Sequence, residues 1–257
     1  MSEITVKPTI VTDGMTMIGR SLRLSRRNLD VLLMSLMLPV VLMLMFVYLF
    51  GGAIDTGTEY VSYVVPGVLV LCAGFGSATT AVNVSQDMTN GVMDRFRSLD
   101  VSGAAVLSGH VAASVVRNTA STVLVFGIAL LIGFRSDADI LGWIAAGAVL
   151  LVFILAISWL AAMVGLVAGS PEAANGFTFF LIFLPYASSA FVPIDTMPGW
   201  LQGFSRHQPV TPVIESVRGL LNGTPVGSSP ALAIAWCGGI LLVSVALSAV
   251  AFRRRTG

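Results

Sequence analysis

Charged residues are scarce in this chain. Of its 257 residues, 11% are charged and 56% are hydrophobic, whereas about 25% of the residues of a typical soluble protein are charged. The mean hydropathy is +0.90. This composition excludes a water-soluble globular domain, and a net charge of only +1 excludes a nucleic-acid binder with a basic face. We therefore expect an all-α polytopic membrane protein.

Residues that commonly carry catalysis are also rare. Lysine occurs once, at Lys7, which precedes Pro8. A phosphate-binding loop of the form G-x-x-x-x-G-K-[ST] needs a lysine after glycine, so the chain has no loop of this form. Cys72 and Cys237 lie in apolar runs and do not suit a disulfide-stapled module. His110 and His207 fall on opposite sides of the predicted membrane, so they cannot share a metal ion. We expect no catalytic residue, metal or cofactor in this chain.

Six apolar stretches approach the roughly 20 residues that a helix needs to cross a bilayer. The fifth is short and gains length if its helix begins within 173–176. The six predicted spans are Val31 to Phe50, Ser62 to Val84, Val111 to Phe134, Ile140 to Ala168, Phe177 to Val192 and Ala231 to Phe252. They divide the chain into a cytoplasmic N-terminal segment (1–30), a six-helix domain (31–252) and a basic cytoplasmic tail (253–257).

The basic residues predict the orientation, because Lys and Arg are retained on the cytoplasmic side of a membrane. With the N-terminus inside, only Arg135, Arg206 and Arg218 lie outside, and Arg117 falls in or near the third span. The cytoplasmic set is Lys7, Arg20, Arg23, Arg26, Arg27, Arg95, Arg97, Arg253, Arg254 and Arg255. This distribution predicts that both termini are cytoplasmic.

The segment before the first span is predicted to be an amphipathic helix in the cytoplasmic interface. Its apolar residues fall near one helical face and its arginines on another: the apolar set is Met15, Ile18, Leu22 and Leu29, and the basic set is Arg20, Arg23 and Arg27. An anchor and topology signal is the favoured interpretation, and a gating or docking role is the alternative.

A second amphipathic helix is predicted between spans two and three, on the cytoplasmic side. Asn90 suits its N-cap, and Val92, Phe96 and Leu99 line one face beside Met93. The other residues of this candidate helix are Gly91, Asp94, Arg95 and Arg97. An apolar face flanked by ion pairs suits a groove on a soluble partner, although an ordinary loop helix fits the same spacing equally well.

The segment Pro193 to Pro230, before the sixth span, is too apolar for a solvated loop and too rich in proline for a span. This segment predicts two short helices. One begins near Pro198 with Asp195 or Thr196 as its cap, and Trp200 would lie at the level of the lipid headgroups. The other has Thr211 as N-cap and Pro212 at its first position, and ends at 222–223. A lid lying on the outer leaflet and a re-entrant hairpin both fit.

Few side chains are candidates for a transport pathway. Acidic residues flank the spans or lie in loops, which disfavours a proton relay. Arg117 either lines the pathway or, in the favoured interpretation, extends to the headgroups. The aromatic residues Phe75, Phe183 and Tyr186 complete the candidate pathway, although most aromatic residues of a span serve packing or lipid contact.

These features together resemble a known family, the type-2 ATP-binding-cassette (ABC) exporter permeases, and within it the daunorubicin-resistance-like drug exporters. The resemblance rests on six spans with both ends inside, on GVMDRFRSLDVS at 91–102, and on the stretch 188–223. In that stretch the matching residues are Phe191, Pro193, Met197, Pro198, Trp200, Gln208, Pro209, Thr211 and Arg218. By this resemblance, 91–99 is the helix that couples the permease to its ATPase.

The resemblance implies an exporter half in the plasma membrane of a bacterium. Two permease copies, expected to be identical, would form a twelve-span pore, and a separate nucleotide-binding subunit would bind ATP and Mg²⁺ beside each. Membrane lipids are the other expected partner, and nucleic acid is not one. Because acids are absent from the span interiors, the cargo would be an apolar or amphipathic drug, antibiotic or lipid. The alternatives are an ATPase-independent transporter or channel, and a membrane scaffold or sensor.

Overall fold

A computed structural model of the chain describes residues 29–91 and 103–256, and every regular element in these ranges is helical. Helix α1 (Leu29–Met45) continues as a π-helical turn over Phe46–Phe50, and a 3₁₀ turn spans Ile194–Thr196. The other helices are α2 (Tyr60–Thr89), α3 (Gly103–Leu131), α4 (Ile140–Val167), α5 (Pro171–Phe183), α6 (Gly199–His207), α7 (Val210–Leu221) and α8 (Ser229–Thr256).

Four helices in the described ranges are long and apolar enough to cross a membrane. They are Tyr60–Thr89, Val106–Leu131, Ile140–Val167 and Ser229–Phe252, and they correspond to predicted spans two, three, four and six. The all-helical membrane class is therefore confirmed. The count of six spans stays a prediction. For the first predicted span the structure describes a shorter apolar helix, Met37–Phe50, and α5, in the fifth, has 13 residues. Both are shorter than the roughly 20 residues that a span needs.

The fifth predicted span differs in shape from a single helix over Phe177–Val192. Helix α5 begins earlier, with Pro171 in its first turn and the Ser170 hydroxyl accepting from the backbone N–H of Ala173 at 3.2 Å. It ends at Phe183, and 184–192 continue as turns. Pro185 has no backbone N–H to donate, so the helical hydrogen-bond pattern is interrupted there.

Helix α2 lies at the centre of the bundle. In its most apolar stretch 72% of the residues are buried, against 22% in α8. It packs against α1, α3, α4, α5 and α7. Its buried aliphatic side chains include Val64, Val68 and Leu71.

Two glycines of α2 make the close contacts on which its packing depends. A Cβ on Gly67 would lie 2.6 Å from the Cβ of Ala190, and one on Gly76 would lie 1.6 Å from Oδ1 of Asn118. Gly74, two residues before Gly76, has no atom of a neighbouring element within 4 Å of such a Cβ. The close approach of α3 to α2 is therefore at Gly76.

The C-terminus of α2 corrects one prediction. The backbone N–H of Asn90 donates to the carbonyl oxygen of Gln86 at 2.9 Å, so Asn90 ends α2. Gly91 follows with φ +68°, a left-handed conformation that favours glycine at a helix C-terminus. The predicted coupling helix would continue into 92–102, and these residues lie outside the described ranges.

Candidate transport pathway and coupling region

The predicted coupling helix falls almost entirely outside the described residues. Only Gly91 is described, at the end of α2, while Val92, Met93, Asp94, Arg95, Phe96, Arg97 and Leu99 are not. The amphipathic segment within 1–28 also lies outside the described ranges. Both helices stay predictions.

A polar pair joins the two helices that flank the predicted coupling segment. Nε2 of His110, on α3, lies 3.0 Å from Oδ2 of Asp87, on α2. Both side chains are largely buried. The apolar pattern of the second span stops at Val84 and therefore predicts that Asp87 lies outside the helix, whereas α2 extends to Thr89. The pair links the ends of α2 and α3 next to 92–102.

The two short helices predicted before the last span are present, but they begin differently from the prediction. Pro198 precedes α6, and no side chain caps that helix. Asp195 instead pairs with Arg206 at 2.6 Å, and the Thr196 hydroxyl donates to the Pro193 carbonyl at 2.7 Å. Asp195 and Thr196 therefore stabilise the turn before the helix.

Helix α7 begins at Val210, one residue before the predicted N-cap Thr211. The Thr211 hydroxyl donates to the carbonyl oxygen of Ser205 at 2.6 Å, which joins α7 to α6. Pro212 falls within the first turn, where backbone N–H groups have no acceptor inside the helix. The predicted end is confirmed: Asn222 closes the helix, and Gly223 has φ +64°.

The two short helices differ in burial. Helix α7 packs against α2, α4 and α8, and its Val213, Ile214 and Val217 are fully buried. Helix α6 contacts the 3₁₀ turn and α7, and Trp200 on it is 81% exposed. Helix α7 is thus part of the bundle core, whereas α6 lies on its surface.

Arg218 is the most extensively bonded side chain of this region. Its Nε donates to the Tyr63 carbonyl at 3.0 Å, and its Nη2 donates to the Ser189 carbonyl at 2.5 Å. Nη1 donates to Oε1 of Glu215 at 2.7 Å, and the guanidinium carbon lies 3.7 Å from the centre of the Tyr63 ring. These contacts connect α7 to α2 and to the turn after α5.

Two more side chains hold that turn in place. Nε2 of Gln208 donates to the carbonyl oxygens of Leu184 and Ala187, at 3.0 and 2.9 Å. The Tyr60 hydroxyl donates to the Phe191 carbonyl at 2.9 Å. These bonds satisfy backbone carbonyls that the broken helix leaves without internal partners.

An aromatic row runs from α5 to α1 through the turn. The ring centroids of Phe183 and Tyr186 are 5.9 Å apart, those of Tyr186 and Phe191 are 5.2 Å apart, and those of Phe191 and Phe46 are 4.2 Å apart. Phe46 continues the row to Phe50 at 5.4 Å. Three residues named from the sequence, Phe183, Tyr186 and Phe191, are therefore brought together.

The other candidate pathway residues lie elsewhere. Phe75, on α2, is partly buried against the hydrophobic core. Arg117, on α3, donates from Nη2 to the Gly76 carbonyl at 3.1 Å and to the Thr80 hydroxyl at 2.8 Å. These contacts hold the guanidinium against the middle of α2, rather than at a helix end facing headgroups. Neither residue contacts the aromatic row through a ring or hydrogen bond that the structure shows.

Arg117 belongs to a polar seam that the sequence analysis missed. The Thr80 hydroxyl donates to Ser114 at 2.8 Å, and the Ser114 hydroxyl lies 3.0 Å from that of Ser158. Nδ2 of Asn118 donates to Ser77 at 3.0 Å. The seam connects α2, α3 and α4 inside the bundle. Its sequence signal is small polar residues at helical spacing, such as 77 with 80 and 114 with 118.

The long apolar helices and the exposed apolar surfaces define a helical membrane protein. The chain belongs to the ABC-2 type transporter family, whose profile matches residues 13–222.

Two relatives place it more closely. It is 31% identical over 251 residues to the daunorubicin resistance ABC transporter permease protein DrrB1 of Streptomyces coeruleorubidus, covering 97% of this chain and 89% of that protein. It is 25% identical over 222 residues to the probable doxorubicin resistance ABC transporter permease protein DrrC of Mycobacterium tuberculosis, covering 86% of this chain and 80% of that protein.

Proposed function

We propose that this chain is the permease subunit of an ATP-driven exporter in a bacterial plasma membrane. A separate ATPase subunit would bind ATP and Mg²⁺, and this chain would supply the path through the bilayer. The observation that carries the proposal is membership of the ABC-2 type transporter family over residues 13–222. The likeness to two permeases named for drug resistance supports the direction of transport, out of the cell.

The aromatic row favours an apolar or amphipathic cargo. Phe183 is 51% exposed and Tyr186 is 36% exposed, so the row presents ring faces at the surface of a single chain. Aromatic side chains are uncharged, and their ring faces stack with flat apolar molecules. The names of the relatives point to daunorubicin and doxorubicin as first compounds to test.

The same surface suits contact with a second copy of the chain. Large apolar side chains on the π-helical turn that ends α1, and on α5, remain exposed, including Tyr48, Leu49 and Phe180. Contiguous exposed apolar surface marks a protein or lipid contact. In our proposal two copies meet along α1 and α5, and the cargo passes between them. Six spans with both termini cytoplasmic complete this arrangement.

The dimer is tested by cysteine cross-linking in native membranes. We expect Phe180→Cys to cross-link between two chains, because its position on α5 is 74% exposed and lies on the proposed interface. Leu242→Cys on α8, 73% exposed, is the matched control and should remain monomeric. The native Cys72 and Cys237 are buried and give little background. Cross-linking at 242 but not at 180 would contradict the proposed interface.

Coupling to the ATPase is tested by purification from cells that express the chain with its genetic neighbours. We expect an ATPase subunit to co-purify in equal amount and to be lost in Phe96→Asp, which removes the apolar face of the predicted coupling helix. Trp200→Asp, an aromatic replacement on the exposed helix α6, is the control and should retain the ATPase. Transport of doxorubicin into proteoliposomes that does not depend on ATP would contradict the proposal.

A further inference from the structure

A largely buried polar pair joins α2 to α3 at the end of the bundle where the chain continues into 92–102. Nε2 of His110 lies 3.0 Å from Oδ2 of Asp87, and the two side chains are only 12% and 20% exposed. We call this contact the interhelical clamp. On α2, Asp87 lies two residues before the last residue, Thr89. On α3, His110 lies seven residues after the first residue, Gly103. The clamp therefore connects the two helices close to the segment between them.

The chemistry of the clamp gives the hydrogen bond its direction and strength. An ionised carboxylate has no hydrogen to donate, so Nε2 of His110 carries the hydrogen and donates to Asp87. A hydrogen bond with a charged partner is roughly twice as strong as a neutral one. The clamp is therefore a stronger connection between α2 and α3 than the neutral contacts deeper in the bundle, such as that of Asn118 with Ser77 at 3.0 Å.

The residues around the clamp form one buried apolar cluster drawn from α2, α3 and α4. Its members are Val84, Leu107, Val111, Ala162 and Leu166. The backbones of α2 and α4 are close as well, because a Cβ on Gly165 would lie 2.3 Å from the carbonyl oxygen of Ala81. Packed protein interiors deform little, so these three helices form one rigid unit near the clamp.

Helix α2 connects the clamp to the aromatic row. It runs as one helix from Asp87 back to Gly67, about 30 Å away along its axis. There a Cβ on Gly67 would lie 2.6 Å from the Cβ of Ala190, in the turn after α5. The next residue, Phe191, belongs to the aromatic row. A displacement of α2 at the clamp therefore reaches the turn that carries this row.

We propose that His110 and Asp87 are positioning residues for the coupling of ATP hydrolysis to transport. An ATPase subunit that binds the predicted coupling segment 91–99 would act on the ends of both α2 and α3. If the two ends could separate, the displacement would be lost between them. The clamp holds them together, so that α2 moves with α3 and α4. This inference rests on the proposed function, and it assigns neither residue a contact with ATP or cargo.

The test compares drug transport with ATP consumption in proteoliposomes that contain the full chain and the ATPase that co-purifies with it. The readout is the number of doxorubicin molecules moved per ATP hydrolysed. His110→Phe keeps a ring and removes the donor, and we expect this ratio to fall roughly 5-fold while the ATPase still co-purifies. His110→Gln retains an N–H that can donate to Asp87, and its ratio should stay close to that of the unmodified chain.

Two comparisons separate the clamp from general packing of the bundle. Ser77→Ala removes the hydrogen bond from Asn118, another contact between α2 and α3, and it should leave the ratio unchanged. A substitution at 87 removes every contact of Asp87, so the pair is isolated by a double-mutant cycle. We expect His110→Phe to lower the ratio no further when Asp87→Ala is already present.

A covalent bridge tests the clamp independently of how well the polar variants fold. Asp87→Cys with His110→Cys is assayed before and after reaction with ethane-1,2-diyl bismethanethiosulfonate, which links two neighbouring thiols. The native Cys72 and Cys237 are buried and give little background. We expect a low ratio before the reaction and recovery after it. Asp87→Cys alone offers no second thiol at the clamp, and its ratio should not recover.

The outcomes distinguish the clamp from the proposed function. An unchanged ratio in His110→Phe, an equal loss in Ser77→Ala or no recovery in the bridged protein would overturn the positioning role, even when the unmodified chain transports doxorubicin with ATP. Loss of the ATPase from purified His110→Phe would overturn it as well, because the pair would then act in binding the ATPase. Absence of ATP-driven transport by the unmodified chain would refute the exporter proposal, and the positioning role with it.

Discussion

Arg117 and Arg218 are both held against the bundle core, and they are held in different ways. Arg218 donates to carbonyl oxygens 29 and 155 residues away in the chain, pairs with Glu215 and packs over the Tyr63 ring. The hydrogen bonds described for Arg117 go to a carbonyl and a hydroxyl of a single helix, α2. Arg218 thus joins three segments of the fold, and these two bonds of Arg117 join α3 to α2.

The contacts of Arg218 assign it a structural role. An arginine that satisfies carbonyls from several segments positions those segments, and its removal leaves their polar groups unpaired. We therefore expect Arg218 to maintain the turn at 184–191 and the aromatic row that depends on it.

The largest expected effect is that of Arg218→Ala. It leaves the carbonyls of Tyr63 and Ser189 and the carboxylate of Glu215 without their partner, and we expect the free energy of unfolding to fall by about 3 kcal/mol. Unfolding of the detergent-solubilised protein, followed by circular dichroism, measures the change.

Arg206→Ala is the matched control for Arg218→Ala. The ion pair of Arg206 with Asp195 is exposed, and such pairs contribute less than about 1 kcal/mol. Equal effects of the two substitutions would show that Arg218 does not join the three segments as the structure indicates.

The next effect in size is that of Gly76→Ala, which acts on the seam that holds Arg117. The added methyl would displace the Asn118 amide, which lies where the Cβ would stand. Because the displaced amide would lose its hydrogen bond to the Ser77 hydroxyl inside the bundle, we expect a loss of about 2 kcal/mol. The same unfolding measurement applies.

Gly74→Ala, two residues away on α2, is the control for this contact. Its Cβ has open space, so the higher helix propensity of alanine should leave stability unchanged or raise it by up to about 1 kcal/mol. If Gly74→Ala were destabilising and Gly76→Ala neutral, α3 would contact the face of α2 that carries Gly74, and the contact at Gly76 would be contradicted.

The smallest expected effect on stability is that of Arg117→Lys. Lysine keeps the positive charge but not the planar guanidinium, whose Nη2 donates to both the Gly76 carbonyl and the Thr80 hydroxyl, so we expect a loss of about 1 kcal/mol. Doxorubicin transport by this variant then tests the predicted role of Arg117 in the pathway. A loss of stability as large as that of Arg218→Ala would show that the two arginines are equally important to the fold.

Sequence reasoning located features that depend on a few neighbouring residues. The end of α7 at 222–223 follows from residues that favour a left-handed conformation, whereas α2 runs past its predicted end at Val84 to Thr89. Prolines in two predicted spans have different outcomes in the structure. Helix α1 continues through Pro39, whereas α5 ends at Phe183, shortly before Pro185. The local signal is the same at both prolines, so packing around each one decides whether the helix continues.

The candidate site was predictable in its parts but not in its arrangement. The motif at 188–223 named Phe191 and Arg218, and the aromatic content of the fifth span named Phe183 and Tyr186. Nothing in the spacing indicated that Phe46 of α1 would stack on Phe191, 145 residues later, at 4.2 Å. The polar seam was also missed, because single serines and threonines in apolar helices look like neutral packing residues until their partners are known.

The sequence by itself determined that this chain is a helical membrane protein, since 56% hydrophobic residues and a charged fraction of 11% leave no other class of fold. It also determined where most of the long helices lie, because length and hydropathy are local properties. The tertiary structure decided which faces of those helices meet. In a membrane, lipid-facing and protein-facing sides are equally apolar, so periodicity does not distinguish the buried α2 from the peripheral α8. Close contacts such as Gly67 with Ala190, and bonds such as Arg218 with Tyr63, make that choice between residues far apart in the chain.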